Sequence, residues 1–546
     1  MIENALPIDL LHILLALLPI VTLLVLLLIL EWSAPEAGAV GLFVAGAVGV
    51  LGFRMPPATV AVASAKGVWD AVFILYVVWT ALLLYHIAAK AGAFDALRQG
   101  IMRFSRNELF LVLVFGWVFV SFLQGITGFG TPIAMVVPLL IALGVRPLFA
   151  VAAPLVGHAW GNMFGTLAVA WLATQQVISL DADTATNAAF QTGLLLILPN
   201  LFAGITVALM HSGWRGMRYA LPMILLVSAV HGGVQAALTL WNPVLANFTA
   251  VTIGFALLYP LSRWGRYRDV LPYEESRMMQ THNINTADER PATMSLFAAL
   301  LPYVVLMIAA LVVLVPDPVN EFLGQWRIGP SFPEVTSGYE VTRPAAEPYA
   351  PFAPLTHPGS FLLLAAVVTA VYYRGRGFFT QVEETNVQGS ILGHLVRDAV
   401  PSSLAIIAFL VLSKLMDHSG QTDTLARGIA TVVPSGIYAA LAPTLGVLGA
   451  FMTSSNTASN VLFAPIQETI AVVAGLPIAS IIAAQNAGAA IGNAIAPANI
   501  VLGTGPAGIL GQEGKVLRLA LPYTLVATLV TGAGVWLLVL ITGNGG

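Results

Sequence analysis

Two polar stretches interrupt apolar sequence in this chain, the first of them rich in glycine: Gly125-Ile126-Thr127-Gly128-Phe129-Gly130-Thr131-Pro132 and Thr453-Ser454-Ser455-Asn456-Thr457. Hydroxyls, amides and approachable backbone are the groups that hold a small ion where no basic side chain is at hand. Each stretch is followed by a Gly/Pro turn, Gly144-Val145-Arg146-Pro147 in one case and Gly475-Leu476-Pro477 in the other. Asn162 stands eighteen residues after Gly144, and Asn493 eighteen after Gly475; each follows a glycine, Gly161 or Gly492. Interruptions at matching places in two halves of a membrane chain point to a transporter binding site. The candidate substrate-binding residues are therefore Thr127, Gly128, Gly130, Thr131, Asn162, Ser454, Ser455, Asn456, Thr457, Asn486 and Asn493.

The chemistry expected of these breaks is electrostatic. Thr131-Pro132, Ser455 or Thr457, Thr166, and Asn493 with Pro497 all read as helix starts. Four helix N-termini meeting near the membrane midplane, each with about half a positive charge and free N–H groups, suit an anion. Carbonyls ending the preceding half-helices, with Ser454 to Thr457 and Asn486, suit a hard cation or proton-linked water. No Arg or Lys falls at the predicted midplane, so a carboxylate would be held by dipoles, hydroxyls and amides. His158 and His231 lie deep in apolar runs and are the candidates for proton coupling. The plainer alternatives are a neutral histidine bonded to a carbonyl and small residues serving helix contacts. The duplication with matched spacing favours a site. GITGFGTP lacks the GK[ST] ending of a phosphate loop. No catalytic constellation and no metal site is expected.

The elements that position these residues follow from composition. Of 546 residues, 58% are hydrophobic and 9% charged, with mean hydropathy +0.87. About a dozen apolar runs near 20 residues long call for a bilayer. A net charge of −3 gives no sign of nucleic acid, and the lack of cysteine excludes disulfides and thiolate chemistry. The first run, 8–30, has no basic lead and reads as a retained span.

Basic loops assign the sides. Lys90, Arg98, Arg103 and Arg106, then Arg146, then Arg263, Arg266, Arg268, Arg277 and Arg290, then Arg374, Arg376 and Arg397 mark the cytoplasm. The acidic loop 316–356 and both termini fall outside. The expected organisation is N-terminal spans 1–106; a first repeat core 107–262, with re-entrant hairpin 107–143 and broken helix 148–178; and a cytoplasmic loop 263–293. Second-half spans 294–434 and a second core 435–546 follow, the latter with hairpin 435–473 and broken helix 477–510. The fold class is thus an all-α polytopic membrane protein of two inverted-topology repeats, about 12 spans plus two hairpins. Three side issues attach to this topology. Arg54 and Lys66 suggest an amphipathic surface stretch over 55–66, Lys414 reads as a snorkelling partner of Asp417, and Glu468 reads as solvated.

On GITGFGTPIAMVVPLLIALGVRPLFAVAAPLVGHAWGNMFG, TSSNTASNVLFAPIQ and QNAGAAIGNAIAPANIVLGTG, the chain resembles the L-lactate permease family. Its SNT hairpin tip also resembles those of the wider group of ion-coupled carboxylate transporters. The resemblance implies proton-coupled uptake of L-lactate, D-lactate or glycolate across a bacterial or archaeal inner membrane, and no enzyme activity or cofactor. The expected partners are a small organic anion and the lipid bilayer, a homodimer being one assembly the class allows. The rivals are Na⁺-coupled carriage of another small organic anion and, from a different class, an anion channel.

Overall fold

The computed structural model describes residues 6–543 apart from 31, 104, 129, 272–275, 281–293 and 380–389. Arg290 and Phe129 therefore lie outside the described residues. Among the described residues, ten helices are long and apolar enough to cross a membrane, including Leu10–Leu27, Ala34–Leu51, Pro57–Lys90, Leu296–Leu314, Ile391–Ser419 and Glu513–Thr542. Ala182–Thr239 is continuous over 58 residues, about 87 Å if straight, far beyond one bilayer. It turns at Ser212 (φ −143°) and Gly213 (φ 59°), which makes two crossings of it.

Two hairpins and two broken helices stand among these spans. Glu108–Gln124 runs to the first glycine-rich tip, and Thr131–Ala142 returns. Ser435–Thr453 and Asn456–Val473 make the second hairpin. The chain after each hairpin is interrupted, as Pro147–Ala159 then Gly165–Val177, and as Ile478–Gly492 then Pro497–Thr504. In both cases the first arm of the hairpin crosses the first half of the broken helix backbone to backbone. Gly157, four residues before Gly161, rests on the carbonyl of Gly116. Gly488, four before Gly492, rests on the carbonyl of Pro443. A side chain at either glycine would occupy the neighbouring carbonyl, so the contact exists only because both are glycine.

The basic loops meet at one end of the bundle. Ser105 donates to the Tyr267 carbonyl, and Asn107 Nδ2 reaches the Asp269 carbonyl at 3.3 Å. The amide of Arg146 donates to Met278 O at 2.8 Å, and that of Arg277 to His211 O at 2.8 Å.

Away from the hairpins, Pro57–Lys90 packs along Ile391–Ser419, with Ala34–Leu51 and Pro358–Gly375 beside them. Here three expectations are corrected. The stretch 55–66 is not a surface helix, because Pro57 opens a 34-residue helix in which Lys66 is buried. Lys414 does not snorkel toward Asp417. Its ammonium is buried 3.1 Å from Asp70, while Asp417 pairs with Arg343 at 2.7 Å. Glu468 is half-buried. For the two lysines the reason is shared: the loop 316–356 folds down over these helix ends, with Tyr349 over both ammonium groups, and takes them out of water. It carries a short helix, Asp317–Gly324, and a two-stranded antiparallel ribbon, Val335–Thr336 with Thr342–Arg343. Trp69 Nε1 donates to Ala350 O at 3.1 Å, and Tyr349 donates to Asp70 Oδ2 at 3.0 Å. Burial, helped by the Asp70 carboxylate and opposed by Lys414, pushes the Tyr349 hydroxyl up to about 12, so it remains a donor. For Arg343 burial works against the charge. Asp417 and Asp423 outweigh it and hold the guanidinium above its ordinary value.

Candidate functional site

Each hairpin tip touches both helix breaks. In the first tip Gly128 (φ 55°) and Gly130 (φ 77°) take left-handed conformations that disfavour any side chain. A Cβ at Gly128 would strike the Thr166 hydroxyl, and one at Gly130 would strike Leu502 and Asn499. The tip therefore lies on the break of the first broken helix and on the restart of the second. Thr131 does not supply the cap expected of it. Gly130 is the capping residue, and Thr131 Oγ1 donates back to Gly128 O at 2.7 Å, holding the turn shut. Thr127, also buried, donates to Leu123 O at 3.0 Å.

The second tip makes the reciprocal contacts. Ser455 caps Asn456–Val473, accepting from the Ala458 amide at 3.2 Å. Ser454, left-handed at φ 54°, accepts from the Ala498 amide at the start of Pro497–Thr504, at 3.0 Å. Asn456 Nδ2 donates to Asn162 O at 3.0 Å, and Asn460 Nδ2 approaches Met163 Sδ at 3.4 Å. Thr457 is buried beside them. Of the first-turn amides of Asn456–Val473 and Pro497–Thr504, those of Ala458 and Ala498 are taken by Ser455 and Ser454, and those of Asn456, Thr457 and Asn499 have no carbonyl of their own helix to bond.

The two breaks differ. In the second, Asn499 Nδ2 donates to both the side chain (2.8 Å) and the backbone carbonyl (3.3 Å) of Asn493, and Ala496 rather than Asn493 is the capping residue. In the first, Thr166, Leu167 and Ala168 are consecutively left-handed (φ 50°, 52° and 62°). Thr166 therefore does not cap; its hydroxyl leans on Gln124 O at 3.5 Å. Asn162 is 3% exposed, yet neither its Oδ1 nor its Nδ2 has a protein partner. Gln124 Oε1, Asn247 Oδ1 and Gln235 Nε2 are likewise buried without one. Asn247 and Gln235 bond each other at 2.8 Å, and Asn247 Nδ2 lies 2.9 Å from where a Gly161 Cβ would be. Buried polar groups this rich in unmet bonds are rare unless something else satisfies them.

The remaining candidates fall outside this junction. Asn486 accepts from Thr174 Oγ1 (3.1 Å) and donates to Thr192 Oγ1 (3.4 Å), locking three helices together. His158 Nδ1 donates to Pro154 O at 2.7 Å, one turn back on its own helix. His231 is wedged between Trp160, stacked at 4.9 Å, and Trp117, edge-on at 5.9 Å, with neither ring nitrogen bonded. Gln124, Asn247 and Asn499 went unread in the sequence. The signal for Asn499 was its place two residues inside the Pro497 restart, and Gln124 directly precedes the tip glycine. Asn247 belongs to a later span and carried no local signal.

Comparison with known proteins gives a consistent family. A family model described as L-lactate permease matches residues 12–542. The L-lactate permease of Halalkalibacterium halodurans is 28% identical over 96% of each chain. That of Escherichia coli K12 is 25% identical over 95% of this chain and 94% of its own. The glycolate permease GlcA of the same strain is 24% identical over the same shares. Among solved structures, the YdaH transporter of Alcanivorax borkumensis aligns over 85% of each chain at 18% identity, with a TM-score of 0.43.

Proposed function

The chain belongs to the L-lactate permease family, and from that premise we propose that it carries small 2-hydroxy monocarboxylates, lactate and glycolate among them, by proton-coupled alternating access. The observation that carries the reading is the junction in which each hairpin tip touches both helix breaks, with the Asn162 amide left unbonded at its centre. A carboxylate there would accept from first-turn amides at the helix starts, where the dipole favours an anion. The 2-hydroxyl, at once donor and acceptor, would complete the Asn162 side chain, which offers one of each. A monocarboxylate without the hydroxyl would leave part of that amide unmet, which is how a buried polar site selects.

Two hairpins entering from opposite faces, as the loop charges suggest, would let the site open to either side by moving one repeat against the other. The reading places the protein in an inner membrane, with the loop 316–356 outside. The test is uptake of labelled lactate and of glycolate into proteoliposomes, with pH and Na⁺ gradients imposed separately. Accumulation is expected under an inward proton gradient and not under Na⁺ alone. Accumulation driven only by Na⁺ would overturn the coupling, and uptake of neither acid would overturn the substrate class.

A further inference from the structure

Outside the junction, beneath the folded loop 316–356, lies a group of charges that transport as described so far does not use. Asp70, on Pro57–Lys90, is fully buried, and its Oδ2 meets Lys414 Nζ at 3.1 Å and the Tyr349 hydroxyl at 3.0 Å. Its Oδ1 has no partner. One turn earlier Lys66 Nζ lies 3.4 Å from His418 Nε2, whose Nδ1 faces Lys414 O at 3.0 Å and Asp417 Oδ2 at 3.2 Å. Arg343 binds Asp417 at 2.7 Å and approaches Asp423 at 3.6 Å. Glu468 stands half-buried on the second hairpin, and His357 heads the neighbouring helix Pro358–Gly375. With His418 neutral, the cations Lys66, Arg343 and Lys414 face the carboxylates Asp70, Asp417 and Asp423, and Glu468 is a fourth acid beside them.

Ionisable groups sealed inside a membrane protein are costly and mark ion pathways or relays. A purely structural buried pair would be expected to have the remaining lone pairs of its carboxylate satisfied. Asp70 leaves one oxygen open, the position a proton would occupy. Lys414 supplies the second observation: the same ammonium donates to Gln176 O at 3.1 Å. Gln176 is in the last turn of Gly165–Val177, the half-helix whose start carries the left-handed turn of the junction. That helix has 13 residues, about 20 Å, between the ammonium and the site.

We propose that Asp70 is the proton-binding carboxylate of the transport cycle and that Lys414 relays its state to the first broken helix, an inference that rests on the proton-coupled reading above. With Asp70 ionised, Lys414 is shared between a carboxylate and the Gln176 carbonyl. A proton added at Oδ1 removes that carboxylate charge, and the ammonium is left to the carbonyl end of the half-helix, the negative end of its dipole. The two proton states thus load one end of the half-helix differently while substrate loads the other. Linkage then requires proton and substrate to alter each other's affinity.

The experiment compares wild type, Asp70→Asn and the double variant Asp70→Asn/Lys414→Met in proteoliposomes. Two readouts are used, gradient-free exchange of labelled for unlabelled lactate, and accumulation under an inward proton gradient. Asp70→Asn fixes the uncharged state, so exchange is expected within about threefold of wild type while accumulation falls at least about tenfold. If the lone substitution does not insert, the double variant, free of the unpaired lysine, carries the same expectation. Proton-driven accumulation by either variant at the wild-type level would overturn the proposal and leave the pair a structural one. Failure of wild type itself to accumulate lactate under the gradient would overturn the transport reading instead.

Discussion

The two repeats share a frame and differ in how their polar groups are spent. In the second, Gln467 donates to Ala442 O (2.9 Å) and to Gln485 (3.2 Å), and accepts from Tyr438. Gln485 donates to Ser459 and Asn460, each at 3.2 Å, and Ser459 donates to Gly446 O at 2.9 Å. That network lies within the repeat except where Asn460 Nδ2 reaches Met163. Around the break of the first, Asn162, Gln124, Asn247, Gln235 and His231 all keep unmet atoms. A satisfied network rigidifies and specifies one arrangement. An unsatisfied one is stable only when a ligand or water completes it. On the proposed reading, the Gln467–Gln485 network of the second repeat serves as a scaffold and the break of the first as the receptor, with the helix starts of the second repeat facing it, although the sequence presents them as copies.

The largest expected effect comes from the receptor side. Asn162→Ala is expected to weaken lactate binding, read as the half-saturation of exchange, by about ten- to a hundredfold, the loss of one desolvated hydrogen bond to a charged ligand or its equivalent. Its insertion should be unchanged; a variant that transports as wild type would break the comparison. On the scaffold side Gln485→Leu strands Gln467, Ser459 and Asn460, and should cost about 1–3 kcal/mol of stability. It should show as a lower thermal midpoint in detergent, with half-saturation altered less than twofold. Gly157→Ala and Gly488→Ala test what the repeats have in common. Each drives a methyl into a carbonyl, and losses of about 1–3 kcal/mol of similar size are expected. A large inequality between them would show that the frame itself is not shared. Asn486→Ala, which loses two buried bonds but no proposed ligand contact, should cost a smaller amount of stability, about 1 kcal/mol, read as a smaller fall in the midpoint, and leave affinity intact. Smallest of all, His158→Gln keeps a donor in that region of the helix, and proton-driven accumulation is expected within about twofold of wild type.

Much of this frame was legible in the chain. The matched distance from Gly/Pro turn to Gly-Asn dipeptide located both breaks, and the glycines of the first tip and the hydroxyls and amide of the second located the hairpins, because backbone interruptions in an apolar run leave a local trace. Bond partners left none. Asn456 and Asn493 look alike as amides, yet one reaches across to the other repeat and one is tied to Asn499 six residues on. Lys414 read as a snorkelling cation at the outer end of its span, but its nearest acid in sequence, Asp417, is claimed by Arg343 from the folded loop. Its true partner, Asp70, sits more than 340 residues earlier, at the edge of a long apolar run that masked it. The left-handed turn after Thr166 had no signature either, since neither threonine, leucine nor alanine favours that conformation.

That turn also says something about populations. Three consecutive L-residues in left-handed geometry cost roughly 1–2 kcal/mol each, so the arrangement of Thr166, Leu167 and Ala168 lies on the order of 3–6 kcal/mol above a right-handed rewinding of the same segment. Moving a conformer from 1% to 99% of the population takes about 5.5 kcal/mol. The surrounding contacts, Gly128 against Thr166 and Gln124 against Gly165, hold this segment against that difference. On the proposed alternating-access reading, releasing them frees roughly 3–6 kcal/mol for a change of conformer, making the turn a loaded spring whose catch is the hairpin tip.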